Sequence, residues 1–203
     1  MKYKAVIWDF DGVWSKDKFY KTIETNYPKV RDFIQNNIWG ENGEKRVDRW
    51  MRAELNMNDI NKLISENTGI NFELLTKEFL NDVKKMEIEM GHIAIINKLK
   101  KQNIKVGLVT NNMEVFTSIT RLRLKFDELF NNNVFNSFEY KMLKDEGLFD
   151  KALEKMDSDY ATTLLIDDSS RARNYFESKG GQTYAYNNFE DFKIWVENNL
   201  LNL

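Results

Sequence analysis

The sequence predicts an α/β protein: a doubly wound, parallel, Rossmann-like sheet with an all-helical segment inserted after its first strand. Three observations carry this prediction. Five short apolar runs of strand-forming residues, at 4–9, 105–110, 134–137, 163–167 and 182–186, are spread along the 203-residue chain. Continuous apolar character, rather than alternation, is expected of strands buried on both faces of a parallel sheet. From residue 92 onward, helical stretches separate the runs, the order that builds a doubly wound core.

The first run, Lys4 to Asp9, leads into "DFDGV" at 9–13. Residues 14–88 then contain helix signals and no convincing strand. Pro28 suits a first helical turn ahead of residues 29–38. Asn71 suits an N-cap for 72–86, where Phe72, Leu75, Phe79 and Val83 fall at spacings of three and four. The expected division is therefore a core of 1–13 and 89–203 and a helical cap of 14–88. Residues 92–102 predict a helix with Ile95, Ile96 and Leu99 on one face and a lysine-rich C-terminus. Residues 148–156 and 189–201 repeat the pattern. The asparagine runs at 131–133 and 198–199 are read as composition bias.

Composition narrows the function. The chain is 42% hydrophobic and 31% charged with a net charge of −2, which suits a soluble globular protein and argues against broad electrostatic binding to nucleic acid. No apolar run approaches the roughly 20 residues needed to span a bilayer, and the apolar start is too short for a signal-peptide core. Without cysteine there is no disulfide, thiolate metal site or cysteine nucleophile. The cytoplasm is the expected location, as a monomer or homodimer.

The chemistry gathers where the strands end. Asp9 and Asp11 lie on one side of an extended chain, roughly 7 Å apart. Thr110, Asn111 and Asn112 follow the second run, Asp167 and Asp168 end the fourth, and Lys141 and Lys144 lie between them. Open α/β sheets bind ligands beyond the carboxyl ends of their strands. Up to four carboxylates there call for a cation, and hard oxygen ligands in a small cluster suit Mg²⁺ completed by a substrate phosphate. A lysine and a hydroxyl-plus-amide turn suit the remaining phosphate oxygens.

With "DFDGV" at 9–13, "LVTNN" at 108–112, a lysine near 144 and "LLIDDS" at 164–169, the chain resembles the haloacid dehalogenase-like hydrolases, in motif order, in spacing and in its helical insertion, which is similar to that family's small C1-type cap. The resemblance implies a phosphatase-like branch acting on a small phosphorylated metabolite, such as a sugar phosphate. It implies Asp9 as nucleophile, Asp11 as general acid and then base, and Thr110 with the Asn111 backbone N–H as phosphate cradle. It also implies Lys144 as the lysine serving phosphate and nucleophile. Mg²⁺ is then expected on the Asp9 side chain, the Asp11 main-chain carbonyl and Asp168, with Asp167 in or beside the second shell. Two positions depart from the pattern. Asp145, not proline, follows Lys144, which keeps Lys141 as the alternative, and Ala172 stands where relatives often carry Asn or Asp. A phosphoglucomutase-type transfer, or a phosphate-binding module without turnover, is the alternative. A dehalogenase needs no second acid, so Asp11 argues against one.

Other residues have plainer readings. His92 is expected to start a helix, and Phe19, Trp39 and Trp50 to pack the cap. Trp14, where the chain enters the cap, is a candidate for substrate binding. Lys16, Lys18, Arg46 and Arg49 are candidates to face an anionic substrate.

Overall fold

The computed structural model describes residues 3–17, 19–40 and 45–201. Five parallel strands form one sheet in the order β3-β2-β1-β4-β5. They are β1 (Ala5–Trp8), β2 (Lys105–Thr110), β3 (Val134–Asn136), β4 (Thr163–Asp167) and β5 (Gln182–Ala185). The doubly wound α/β fold is the one the sequence predicts, and each apolar run supplies its strand to within a residue or two at each end.

Side-chain alternation explains why the runs are apolar throughout. Val6 and Trp8 of β1 point into a cluster with Ile96, Leu99, Phe192 and Val196, from helices α6 (His92–Lys101) and α11 (Phe189–Asn199). Ala5 and Ile7 point the other way, against Leu153 and Phe176 of α9 (Leu148–Lys155) and α10 (Ser170–Ser178). With helices on both faces, polar residues have no place in the central strands. β5 departs from the expectation of burial on both faces: at this edge of the sheet its residues are exposed or half-buried, whereas β3 at the other edge is buried throughout.

After β1 the described chain runs through α1 (Lys21–Asn26), α2 (Pro28–Ile34) with a π-helical continuation at Gln35–Trp39, α3 (Arg46–Met51), α4 (Met57–Thr68) and α5 (Phe72–Lys85). Pro28 opens α2. The Asn71 side chain accepts from the Leu74 N–H at 2.8 Å, the cap that the sequence predicts for α5. Ile23, Ile34, Trp50, Ile60, Ile64, Leu75, Phe79 and Val83 form a second core. Trp50 is fully buried in it, and Trp39 and Phe19 pack against it, the packing role expected of all three.

Packing crosses the expected cap boundary in both directions. Trp14 joins the core cluster, whereas Met113 and Val115, just after β2, join the helical one. Glu114 between them accepts from the Trp50 indole at 2.7 Å and from the Met57 N–H at 2.5 Å. The β2 exit is thus tied directly to the helical segment.

The run at 131–133 is more than composition bias. Asn131 and Asn132 adopt φ of 52° and 62°, a left-handed conformation that asparagine tolerates better than most residues. The Asn133 side chain then donates to the Val106 carbonyl at 3.2 Å, fixing the turn into β3.

Candidate active site

The sheet register brings the acidic residues level. Trp8 pairs with Leu108 on one side and Ile166 on the other, so Asp9 emerges beside Val109 and Asp167 at the carboxyl edge. The Asp9 N–H donates to the Ile166 carbonyl at 2.9 Å. A tight turn follows, in which the Trp14 N–H donates to the Phe10 carbonyl and the Gly12 N–H to the Ser15 carbonyl, both at 2.8 Å.

Gly12 is required twice over. Its φ is +74°, and a Cβ there would lie 2.1 Å from Asp168 Oδ2. The absent side chain is the space that the Asp168 carboxylate occupies. One carboxylate oxygen from each of Asp9, Asp167 and Asp168 lies within 4.8 Å of the others. Such a donor set fits a hard divalent cation.

Lys144 closes this group from the other side. It sits in a short 3₁₀ turn at Lys144–Glu146, between α8 (Ser137–Tyr140) and α9, and is 3% exposed. Its Nζ lies 2.6 Å from Asp9 Oδ2 and 2.8 Å from Asp167 Oδ2. Its backbone N–H donates to the Asn111 side chain at 2.9 Å, tying the turn to the β2 exit. Lys141, the alternative from sequence, is exposed in a left-handed C-cap (φ 56°) and pairs with neither aspartate. Arg173 holds the acidic loop from behind, donating to the Asp167 carbonyl at 3.0 Å and the Asp168 carbonyl at 2.6 Å.

Asp9 and Asp11 have different partners. Asp9 accepts from the Phe10 N–H at 2.7 Å and meets the Lys144 ammonium. Burial and Asp167 nonetheless push its pKa upward against the pull of Lys144. Asp11 accepts from the Asn112 amide at 2.8 Å. Burial pushes Asp11 up to about 7 against the pull of Lys144, and Asp168 and Asp167 add to the rise. Burial and Asp167 also raise Asp168. Burial pulls Lys144 down, yet Asp167 and Asp9 together carry it above its ordinary range.

Thr110 is fully buried, and its hydroxyl has no hydrogen-bond partner. Asn111 and Lys144 line a cavity of about 220 Å³ that opens on Asp9; α3 of the helical segment supplies Val47, Asp48 and Met51 to its wall. A second hollow, about 460 Å³, opens beside Asp11, Gly12 and Asp168 and is bordered by Lys16.

The structure thus brings Asp9, Asp11, Thr110, Asn111, Lys144, Asp167 and Asp168 to one edge. Trp14, the substrate-binding candidate, borders a hollow of about 330 Å³ with Val13, Lys16 and Tyr186, but from beneath its surface. It is 1% exposed, and its ring packs against His92, Phe126 and Phe130, so it presents almost no surface to a ligand. Lys16 donates to the Asn187 carbonyl, Arg49 pairs with Glu54, and Arg46 donates to the Asn37 carbonyl. Lys18 lies outside the described residues. His92 opens α6, as expected, and is fully buried, with Nε2 3.2 Å from the Val13 carbonyl and from the Tyr186 hydroxyl.

Asn112 has a role that the sequence alone does not assign to it. Its contact with Asp11 joins residues 101 positions apart, and the only signal was a second asparagine after the strand.

Comparison with known proteins bears on the fold and the family. The family model "Haloacid dehalogenase-like hydrolase" matches residues 6–174. No curated protein matches the sequence. A predicted HAD-like family hydrolase from Porphyromonas gingivalis superposes with a TM-score of 0.77 at 15% identity, over 98% of each chain. A HAD family enzyme of Bacteroides thetaiotaomicron, in its magnesium complex, gives 0.72 at 21% identity, over 97% of this chain and 99% of that one. The same enzyme with magnesium and inorganic phosphate gives 0.64 at 17%, over 90% and 93%. The L-2-haloacid dehalogenase of Xanthobacter autotrophicus gives 0.65 at 13%, over 98% and 84%. At these identities the structural likenesses establish the fold, whereas the family match spans most of the sequence. The chain belongs to the haloacid dehalogenase-like hydrolases.

Proposed function

We propose that this chain is a Mg²⁺-dependent phosphatase that hydrolyses a small phosphomonoester through an aspartyl-phosphate on Asp9, with residues 14–88 serving as a cap over the site. One observation carries the reading above the others. Two carboxylates two residues apart have different partners: Asp9, though burial raises it too, meets the Lys144 ammonium, whereas Asp11 accepts from the Asn112 amide and is pushed up to about 7. A carboxyl that holds a proton near neutral pH beside one paired with a cation suits an acid and a nucleophile. A dehalogenase has no use for that acid, because halide leaves without a proton.

The steps on these residues follow. The Asp9 carboxylate bonds to phosphorus while the bond to the leaving oxygen breaks, and Asp11 gives that oxygen its proton. Asp11, now a carboxylate, takes a proton from a water that attacks phosphorus, and the phosphorus–Asp9 bond breaks to free phosphate. Lys144 stays between Asp9 and Asp167 and presents its charge to the phosphoryl group. The unpartnered Thr110 hydroxyl is a free donor for a phosphoryl oxygen. Asp9 and Asp168, with Asp167 beside them, would hold Mg²⁺, which when bound neutralises the carboxylates and the phosphoryl oxygens. The Bacteroides enzyme with magnesium and phosphate supports the same pairing of ligands. A cap that closes over the site favours small substrates over polymers.

The test is turnover of a phosphomonoester panel and of a 2-haloacid, with Mg²⁺, with chelator and with Asp9→Asn. Magnesium-dependent phosphate release lost in Asp9→Asn is expected. Halide release without phosphate release would overturn the reading.

A further inference from the structure

The cavity that opens on Asp9 has a second polar group besides the phosphoryl machinery. Asp48 comes from α3, Asp145 follows Lys144, and Arg171 lies in the first turn of α10. Arg171 Nε lies 2.8 Å from Asp145 Oδ2, and its Nη1 lies 3.4 Å from Asp48 Oδ2. Both carboxylates are mostly covered, with side chains 23% and 19% exposed, whereas Arg171 is 57% exposed. Val47, Met51 and Ala172 supply the apolar part of the lining.

Charge in this part of the cavity is unbalanced. Asp48 and Asp145 share one guanidinium, which is already occupied by both of them, and Lys144, the other cation on the wall, is held by Asp9 and Asp167. Asp145 Oδ1 is buried and has no hydrogen-bond partner. A buried carboxylate oxygen without a donor is unfavourable, and a ligand hydroxyl relieves it by donating a hydrogen bond. A ligand carboxylate has no proton to donate there and meets two like charges.

We propose that Asp48, Asp145 and Arg171 form a specificity group for the leaving alcohol, selecting an uncharged, hydroxyl-bearing group and rejecting one that carries a carboxylate. This rests on the phosphatase reading and narrows it to neutral polyol phosphates. Asp145 receives a hydroxyl of the leaving group at Oδ1. Asp48 carries the same preference from the cap side, and the apolar lining covers the carbon skeleton. Arg171 holds the two carboxylates in place, which makes it a positioning residue.

A matched pair of substrates tests this. Glycerol phosphate and the phosphate ester of glyceric acid differ in one group, CH₂OH against carboxylate. Their kcat/KM ratio is measured for wild type, Asp48→Asn, Asp145→Asn and Arg171→Ala, with acetyl phosphate as a phosphoryl donor too small to fill the cavity. Because a ratio is read within each variant, any unfolded fraction cancels. Wild type is expected to favour glycerol phosphate by on the order of tenfold or more. Asp48→Asn and Asp145→Asn are expected to compress that preference, chiefly by lowering KM for the acidic ester. Arg171→Ala is expected to compress it as well, by releasing the two carboxylates that Arg171 positions. Turnover of acetyl phosphate with the acidic ester preferred, or with a ratio that neither asparagine variant moves, overturns the specificity group and leaves the phosphatase standing. No turnover of any phosphoryl substrate overturns both.

Discussion

Replacing Lys144 with methionine removes the one side-chain cation that, among the described residues, is paired with Asp9 and Asp167. At contacts of 2.6 and 2.8 Å, the gross attraction is about 6 kcal/mol each at an effective dielectric near 20. Much of this only offsets the cost of burying the three charges, whose side chains are 4%, 8% and 0% exposed. Losing one partner of a buried pair typically costs about 3–5 kcal/mol, because the other charge stays buried and unpaired. Lys144→Met is therefore expected to lower unfolding stability by about that amount and to abolish phosphatase activity. The assay is urea unfolding in chelator at pH 8, with Lys141→Met as the control expected to change stability by less than about 0.5 kcal/mol. The pH is safe for this purpose. A lysine held above its ordinary range contributes fully below its unfolded value near 10.4, and the contribution fades only as pH rises through the higher folded value. A loss below about 1 kcal/mol for Lys144→Met would refute the reasoning, as would an equal loss for Lys141→Met.

Three other outcomes follow from the same geometry. Gly12→Ala pushes a methyl group into the Asp168 carboxylate, and the Mg²⁺ concentration for half-maximal activity is expected to rise on the order of tenfold or more; an unchanged requirement would remove Asp168 from the metal site. Asn112→Ala frees the Asp11 carboxyl, and kcat is expected to fall about 10- to 100-fold with little change in KM, the reverse pattern counting against a positioning role. Burial lowers His92 to about 4, against the weaker pull of its bond to the Val13 carbonyl. Its unfolded imidazole takes a proton near 6.5 while the folded one stays neutral, so stability is lost as pH falls from about 6.5 toward 4, by about 2 kcal/mol at pH 5. His92 is the single histidine in the chain, so its NMR titration reads this directly, and a folded-state midpoint near 6.5 would contradict it.

The sheet was legible because helices cover both faces of its central strands, leaving runs such as Val106 to Val109 no polar position to blur the signal. The edge strand β5 escaped that logic, since "QTYAY" has strand-forming residues but lies where burial ends. The acidic residues could be placed at one edge because strand ends in a parallel sheet share a side, and the register of β1 with β2 and β4 supplies that convergence. Direction was not legible. Trp14 follows the acidic turn by three residues, yet the turn rotates its ring into the core, where Phe126 and Phe130 receive it. Long-range polar contacts were equally invisible. Asp48, Asp145 and Arg171 belong to three segments separated by up to 123 positions, and no local pattern distinguishes them from surface charge. The asparagine turn at 131–133 was hidden because a conformational role and a composition bias look alike in sequence.

The central claim is that Asp9 carries the phosphoryl group in the course of turnover. Its most direct test is chemical trapping: the enzyme is quenched during turnover of a phosphomonoester with Mg²⁺, treated with borohydride, and the peptide spanning residue 9 is sequenced by mass spectrometry. Reduction of an aspartyl-phosphate leaves homoserine. The account predicts homoserine at position 9, formed only with substrate and absent from Asp9→Asn. Steady phosphate release with unmodified Asp9, or with the reduced residue elsewhere in the chain, would contradict it.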